Sequence, residues 1–214
     1  MTQLNTPYPA TAYLTGFLKQ QNYQVAQRDL AIELLLNILS RSGLEQLFDQ
    51  IENNFADFGD DELPDSIYNF LANYAAYYQC IDVVIRFLQG KDPSLALRIA
   101  SRRFLPEGPQ FDTLEQMEDM HNGVLQRAFG DLGVQDKAKY LATLFINDLA
   151  LVIKEGVDPY FAISRYAERL AASNPQFDDL YAALHMLEPS YTENIIADLI
   201  KQYIQEESPD VIGI

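Results

Sequence analysis

From residue 30 to residue 206 the apolar residues recur at helical spacing, and runs that alternate with period two are hard to find. Ile32, Leu35, Leu36 and Leu39 fall at i, i+3, i+4 and i+7 and mark one face of a helix. Leu44, Leu47, Phe48 and Ile51 repeat that spacing after Gly43. A longer stripe follows Pro64-Asp65, running through Ile67, Phe70, Leu71, Tyr74, Tyr78, Ile81, Ile85 and Leu88 to a stop at Gly90. Folded as strands, these segments would turn much of each apolar set toward water, because successive side chains on a strand point to opposite faces. The pattern therefore predicts a block of about nine helices joined by short connections.

Punctuation residues divide the block. Asp92-Pro93 is a cap followed by proline at the first helical position, opening a short helix to about Arg103. Leu105-Pro106-Glu107-Gly108-Pro109 is a loop, since two prolines and a glycine forbid continuation. Thr113 with Gln116 forms a capping box for a helix reaching about Phe129. Leu141, Leu144, Phe145, Leu149, Val152 and Ile153 line another helix that ends at Gly156. Asp158-Pro159 caps the next, a further one runs near Phe177 to Leu187, and Ser190 with Glu193 opens the last. There Ile196, Leu199, Ile200 and Tyr203 are expected to face inward.

Outside the block the pattern changes. Residues 5–29 read as a phosphate-facing loop, a helix and a strand over Tyr23–Asp29, while Pro209 to Ile214 reads as a loop feeding a buried parallel strand. The expected fold class is mostly α: a helical bundle-like block inserted in an incomplete Rossmann-like α/β unit with two short strands. Residues 1–29 would start that unit, 30–206 would be the insertion, and 207–214 would be the unit's next strand, cut short. In a 2-1-3 strand order these two strands flank a third and do not touch, so at least one is expected frayed, mispaired or paired with another molecule.

Charge narrows the partners. The chain carries 31 acidic against 15 basic residues, a net −16 at pH 7, so a phosphate backbone is repelled and nucleic acid is disfavoured. A single cysteine, Cys80, excludes an internal disulfide framework and a cage of cysteine ligands. With no signal peptide and no apolar run near 18 residues, no membrane is expected and the default location is the cytoplasm.

The run Pro7-Tyr8-Pro9-Ala10-Thr11-Ala12-Tyr13-Leu14-Thr15-Gly16-Phe17-Leu18-Lys19, followed by Asn22-Tyr23-Gln24-Val25 and Asp29, resembles the first loop, helix and second strand of cobalamin-binding domains. More narrowly, it is similar to those at the N-terminus of cobalamin-dependent radical S-adenosylmethionine proteins, and Pro209-Asp210-Val211-Ile212-Gly213-Ile214 is similar to their third strand. The resemblance covers about 35 of 214 residues and leaves the helical block unmatched. It implies that cobalamin lies beyond the strand ends, near Asn5, Thr6, Tyr8, Thr11 and Gly213. Thr6 and Thr11 would donate hydroxyl hydrogen bonds, Tyr8 would offer a flat surface, and Gly213 would allow close backbone approach. The cobalt-ligating pattern Asp-x-His-x-x-Gly is absent, and so is the cluster motif Cys-x-x-x-Cys-x-x-Cys. S-adenosylmethionine and the iron–sulfur cluster would then belong to sequence downstream, and this stretch alone would not be catalytic.

Other candidates carry plainer readings. Glu118 and His121 have the spacing used by di-iron bundles, but His185 and Glu188 reverse the order, so only one correctly ordered pair exists. Asp57, Asp60, Asp61, Glu62 and Asp65 lack the register of a calcium loop and read as a solvated turn. Tyr68, Tyr74, Tyr77 and Tyr78 read as core, Cys80 as an inert buried thiol, and Arg98, Arg102 and Arg103 as the one basic cluster that could clamp an anion. The competing functional class is a non-catalytic acidic helical domain that binds partners through an exposed apolar patch.

Overall fold

The computed structural model describes residues 9–112, 114, 133–163, 177, 178, 181 and 188–213. Its helices are α1 (Pro9–Gln20), α2 (Leu30–Ile38), α3 (Arg41–Asn54), α4 (Asp65–Ala72), α5 (Tyr74–Leu88), α6 (Ala96–Ala100), α7 (Gly133–Gly156) and α8 (Tyr191–Glu207). Three single 3-10 turns, Asp60–Glu62, Pro93–Leu95 and Pro109–Phe111, join them. The mostly α architecture expected from the periodicity is what forms, and among the described residues there is no strand.

Side chains close the helix starts: Ser190 with Glu193 as the sequence predicts, Ser40 without a prior mark, and Asp29 as the cap of α2 where it was expected to end a strand. Asp29 accepts from the Ile32 N–H at 3.0 Å, Ser40 from the Gly43 N–H at 3.0 Å, and Ser190 and Glu193 exchange the two bonds of a capping box. Helix α5 stops in a Schellman motif, with Lys91 N–H bonded to the Arg86 carbonyl and Gly90 N–H to that of Phe87. Gly90 takes the left-handed conformation this needs, at φ 75°.

Helix α7 is the axis of the core. Its face Leu141, Phe145, Ile146, Leu149, Val152 and Ile153 is buried, each side chain contributing about 1.5–3 kcal/mol of burial. Helices α3, α4, α5 and α6 all pack on it. Tyr77 of α5 stacks on Phe145 with ring centroids 5.4 Å apart, and Phe70 of α4 meets Tyr77 at 5.4 Å. The end of α7 comes so close to α3 and α4 that a Cβ on Gly156 would lie 2.9 Å from Ile51 and 3.1 Å from Ile67.

Several expectations are corrected. The stripe from Ile67 to Leu88 is two helices, because Asn73 leaves helical geometry (φ −112°, ψ 14°) and its side-chain amide donates to the Asn69 carbonyl. The helix after Asp92-Pro93 ends at Ala100 instead of about Arg103, since Arg102 turns left-handed at φ 56°. On α8 only Tyr191 is buried, and Ile200, expected inward, is exposed, because the helix lies at the edge against α2. The two short strands are not strands. Residues 23–29 and 211–213 have no ladder partner, and a strand persists only where a neighbour takes its backbone N–H and carbonyl groups. Most of the helix expected from Thr113 to Phe129 and most of the one from Phe177 to Leu187 lie outside the described residues.

Candidate functional site

Of the residues that the resemblance singled out, only Thr11 and Gly213 are described. Asn5, Thr6 and Tyr8 lie outside the described residues. Thr11 sits in the first turn of α1, and its hydroxyl accepts from the Gln27 side-chain amide at 2.5 Å. That bond ties α1 to the extended segment 23–29. The next residue, Arg28, pairs with Glu207 at 3.1 Å and Glu206 at 3.5 Å, with its guanidinium 4.5 Å above the Tyr203 ring. The segment leading to Gly213 leaves α8 directly after these glutamates, so both predicted strand segments adjoin this edge. Gly213 stands in open surroundings, with nothing within 4 Å of where a Cβ would be.

Helix α1 has no buried residue. Tyr13, Leu14, Phe17 and Leu18 are all exposed, Tyr13 at 81%. Tyr23 follows them, and Val211 is exposed at 85%. Contiguous exposed apolar side chains of this kind are uncommon on the surface of a monomeric domain. As a cobalamin site the described residues supply an edge rather than a cradle: Thr11 is engaged within the chain and no described group closes over Gly213.

A second constellation is built around Asp148, which α7 carries into the core at 1% exposure. Its two carboxylate oxygens accept the backbone N–H groups of Gly108 at 3.0 Å and Gln110 at 2.8 Å. Around it the Tyr77 hydroxyl donates to Asn69, and the Asn69 amide donates to the Glu107 carbonyl. Arg102 holds the Glu107 carboxylate, with Nε at 3.0 Å. Burial pushes the Asp148 carboxyl up to about 6, against the lowering effect of its two N–H donors, with Asp112 and Glu107 adding to the rise. The same burial raises the Tyr77 phenol, helped by Asp148. Asp148 fixes the loop 105–111 to α7 and Asn69 fixes it to α4, so these polar groups are engaged in holding the loop.

Asp158, also 1% exposed, does comparable work at the start of α8. It accepts from the Thr192 hydroxyl at 2.7 Å and from the N–H groups of Thr192 and Tyr160 at 3.2 Å each. Burial pushes this carboxyl up, but the hydrogen bonds from Thr192, Ser190 and the two amides outweigh it and hold the group below the ordinary range.

The remaining candidates resolve into structural roles where they are described. Arg98 lies over the Phe104 ring at 4.4 Å and Arg102 is committed to Glu107, so the basic cluster is not gathered into a clamp. Tyr77 is core, Tyr74 and Tyr78 are half-buried, and Tyr68 is exposed. The Cys80 thiol is buried and pushed up to about 12, which suppresses the reactive thiolate. In the acidic turn, Glu62 accepts from the Gly59 N–H at 3.2 Å, and among the described residues no group of three potential ligands could hold a metal. Glu118, His121 and His185 lie outside the described residues. Among the described residues no helix is long and apolar enough to cross a membrane. No family model, curated protein or solved structure matches the chain.

Proposed function

We propose that this chain is the N-terminal portion of a cobalamin-dependent radical S-adenosylmethionine enzyme. In this assignment α1, residues 23–29 and residues 209–214 belong to its cobalamin-binding α/β unit, and the helices from α2 to α8 form an insertion. The observation that carries it is the shared edge: the two segments predicted as strands are brought together through Arg28 and the end of α8, beside a helix that buries nothing. An insertion must leave and re-enter its parent sheet at neighbouring points, and a helix of that sheet would bury its apolar face only against the sheet's other strands.

Cobalamin would supply the organometallic chemistry when bound, and this part of the protein would contribute orientation and exclusion of solvent. The loop around Asn5, Thr6 and Tyr8 would meet the ligand, with Thr11 at the start of α1 and Gly213 on the facing strand. No catalytic residue is assigned to this chain.

The test is a titration of the full gene product with hydroxocobalamin, followed by its visible absorbance. A saturable spectral change, weakened when Gly213 is replaced by a bulky residue, is expected. Absence of any change in reconstituted protein would remove the cofactor from the account. It would favour instead an acidic helical domain that uses the exposed α1 face to bind another protein.

A further inference from the structure

The attachment of α8 is uneven along its length. Its first turn is anchored in the interior by Asp158, which takes both the N–H and the hydroxyl of Thr192, and by Tyr191, the one buried residue of its 17. The middle of the helix lies shallowly against α2, with Ile200 and Ile204 left exposed. Towards the far end, where Leu199 and Tyr203 are half-buried, a side chain from the opposite end of the sequence adds charged contacts. Arg28 reaches Glu207 at 3.1 Å and Glu206 at 3.5 Å while stacking 4.5 Å over Tyr203, and Gln202 braces Glu206 at 2.7 Å.

The two fixings respond differently to the medium. Asp158 is shielded from water, so added salt hardly touches it. The Arg28 side chain is 41% exposed and its partners 45% and 40%, so mobile ions screen them: the screening length falls from about 10 Å at 0.1 M salt to about 3 Å at 1 M. Ser208, left-handed at φ 43°, ends the helix, so residues 209–213 continue from the end of α8 and move with it.

We propose that α8 is a strap hinged at Asp158 and latched by Arg28, and that opening the latch carries residues 208–213 away from the 23–29 segment. The device rests on contacts within the chain and holds whether or not cobalamin is the ligand. It makes the approach of Arg28 to the end of α8 a switchable property rather than a fixed one.

Nitroxide labels at Gln24→Cys and Asp210→Cys, read by pulsed electron spin resonance, test it; Cys80 is buried and stays unlabelled in the folded chain. At low ionic strength a single short, narrow distance is expected. At 1 M salt, and in Arg28→Ala at low salt, that narrow component is lost and longer distances replace it. Arg28→Lys keeps the charge but loses the planar fork and the stacking, so it retains only part of the narrow component. Far-UV circular dichroism of each variant should match the parent, since Arg28 is 41% exposed and its charged partners Glu206 and Glu207 are on the surface. A distribution that stays short and narrow in Arg28→Ala, or that ignores salt in the unsubstituted chain, overturns the proposal.

Discussion

Replacing Gly108 with Ala isolates the close approach on which the 105–111 loop depends. Gly108 sits at φ −108°, a conformation open to alanine, so any cost comes from space alone. The added Cβ would lie 2.8 Å from Asp148 Cγ and 2.9 Å from both of its carboxylate oxygens. The carboxylate must then give up its bonds to the Gly108 and Gln110 N–H groups or the loop must lift off α7. Overpacking of this kind costs about 1–3 kcal/mol, and weakening a bond to a charged group adds to it, so about 3 kcal/mol is expected. Asp148→Ala alone leaves one buried and one half-buried N–H without their acceptor, again about 3 kcal/mol. In the double variant the new methyl enters space the carboxylate has vacated. The pair should therefore cost about 4 kcal/mol instead of the additive ~6, a coupling of about 2 kcal/mol. Urea unfolding of the four proteins, followed by circular dichroism at constant m, gives the numbers. Additivity within about 0.5 kcal/mol would refute the argument that Gly108 is required by Asp148.

Two further outcomes follow from the buried carboxylates and one from a helix junction. The Asp148 carboxyl is raised from 3.8 to about 6, so the folded state binds its proton more tightly than the unfolded chain. Its contribution to stability is full below pH 4 and is lost as pH rises through 6, by at most about 3 kcal/mol; Asp148→Asn should flatten the slope of unfolding free energy between about pH 4 and 6. Asp158 is lowered instead, so its contribution is present near neutrality and lost as pH falls through the acid range, and Asp158→Asn should remove that acid-side loss. Gly43→Ala would push a Cβ to 2.3 Å from the carbonyl oxygens of Asn37 and Ile38, where backbone cannot yield, and should cost about 3 kcal/mol or more in the same urea assay. Gly59→Ala, with nothing within 4 Å, should stay within about 0.5 kcal/mol of the parent.

The helices were legible from their apolar spacing, and at the start of α8 the cap agrees with it, since Ser190 closes the end that the sequence marks. The core face of α7 was legible for the same reason. Asp148 stands inside that stripe, three residues after Phe145 and four before Val152, and a carboxylate in such a place signals a buried acceptor. What it accepts, the N–H groups near Gly108, lies 38 to 40 residues away and leaves no local mark. Asp158 reads locally as a cap, yet its strongest partners come from Thr192, 34 residues on. Arg28 gave no signal at all, since its partners are 178 and 179 residues distant. Strand character was expected at 23–29 and 211–214, but a strand is made by its neighbours, and among the described residues neither segment has one.

Whether those segments do become strands is the most direct test of the proposed architecture. Amide hydrogen exchange should be followed over residues 23–29 and 209–214 in the full gene product. Membership of a sheet predicts strong protection of Val25 to Arg28 and of Val211 to Gly213, approaching that of the α7 core. Exchange at the rate of an unprotected chain in both segments would contradict it and leave the helical block as a domain complete in itself.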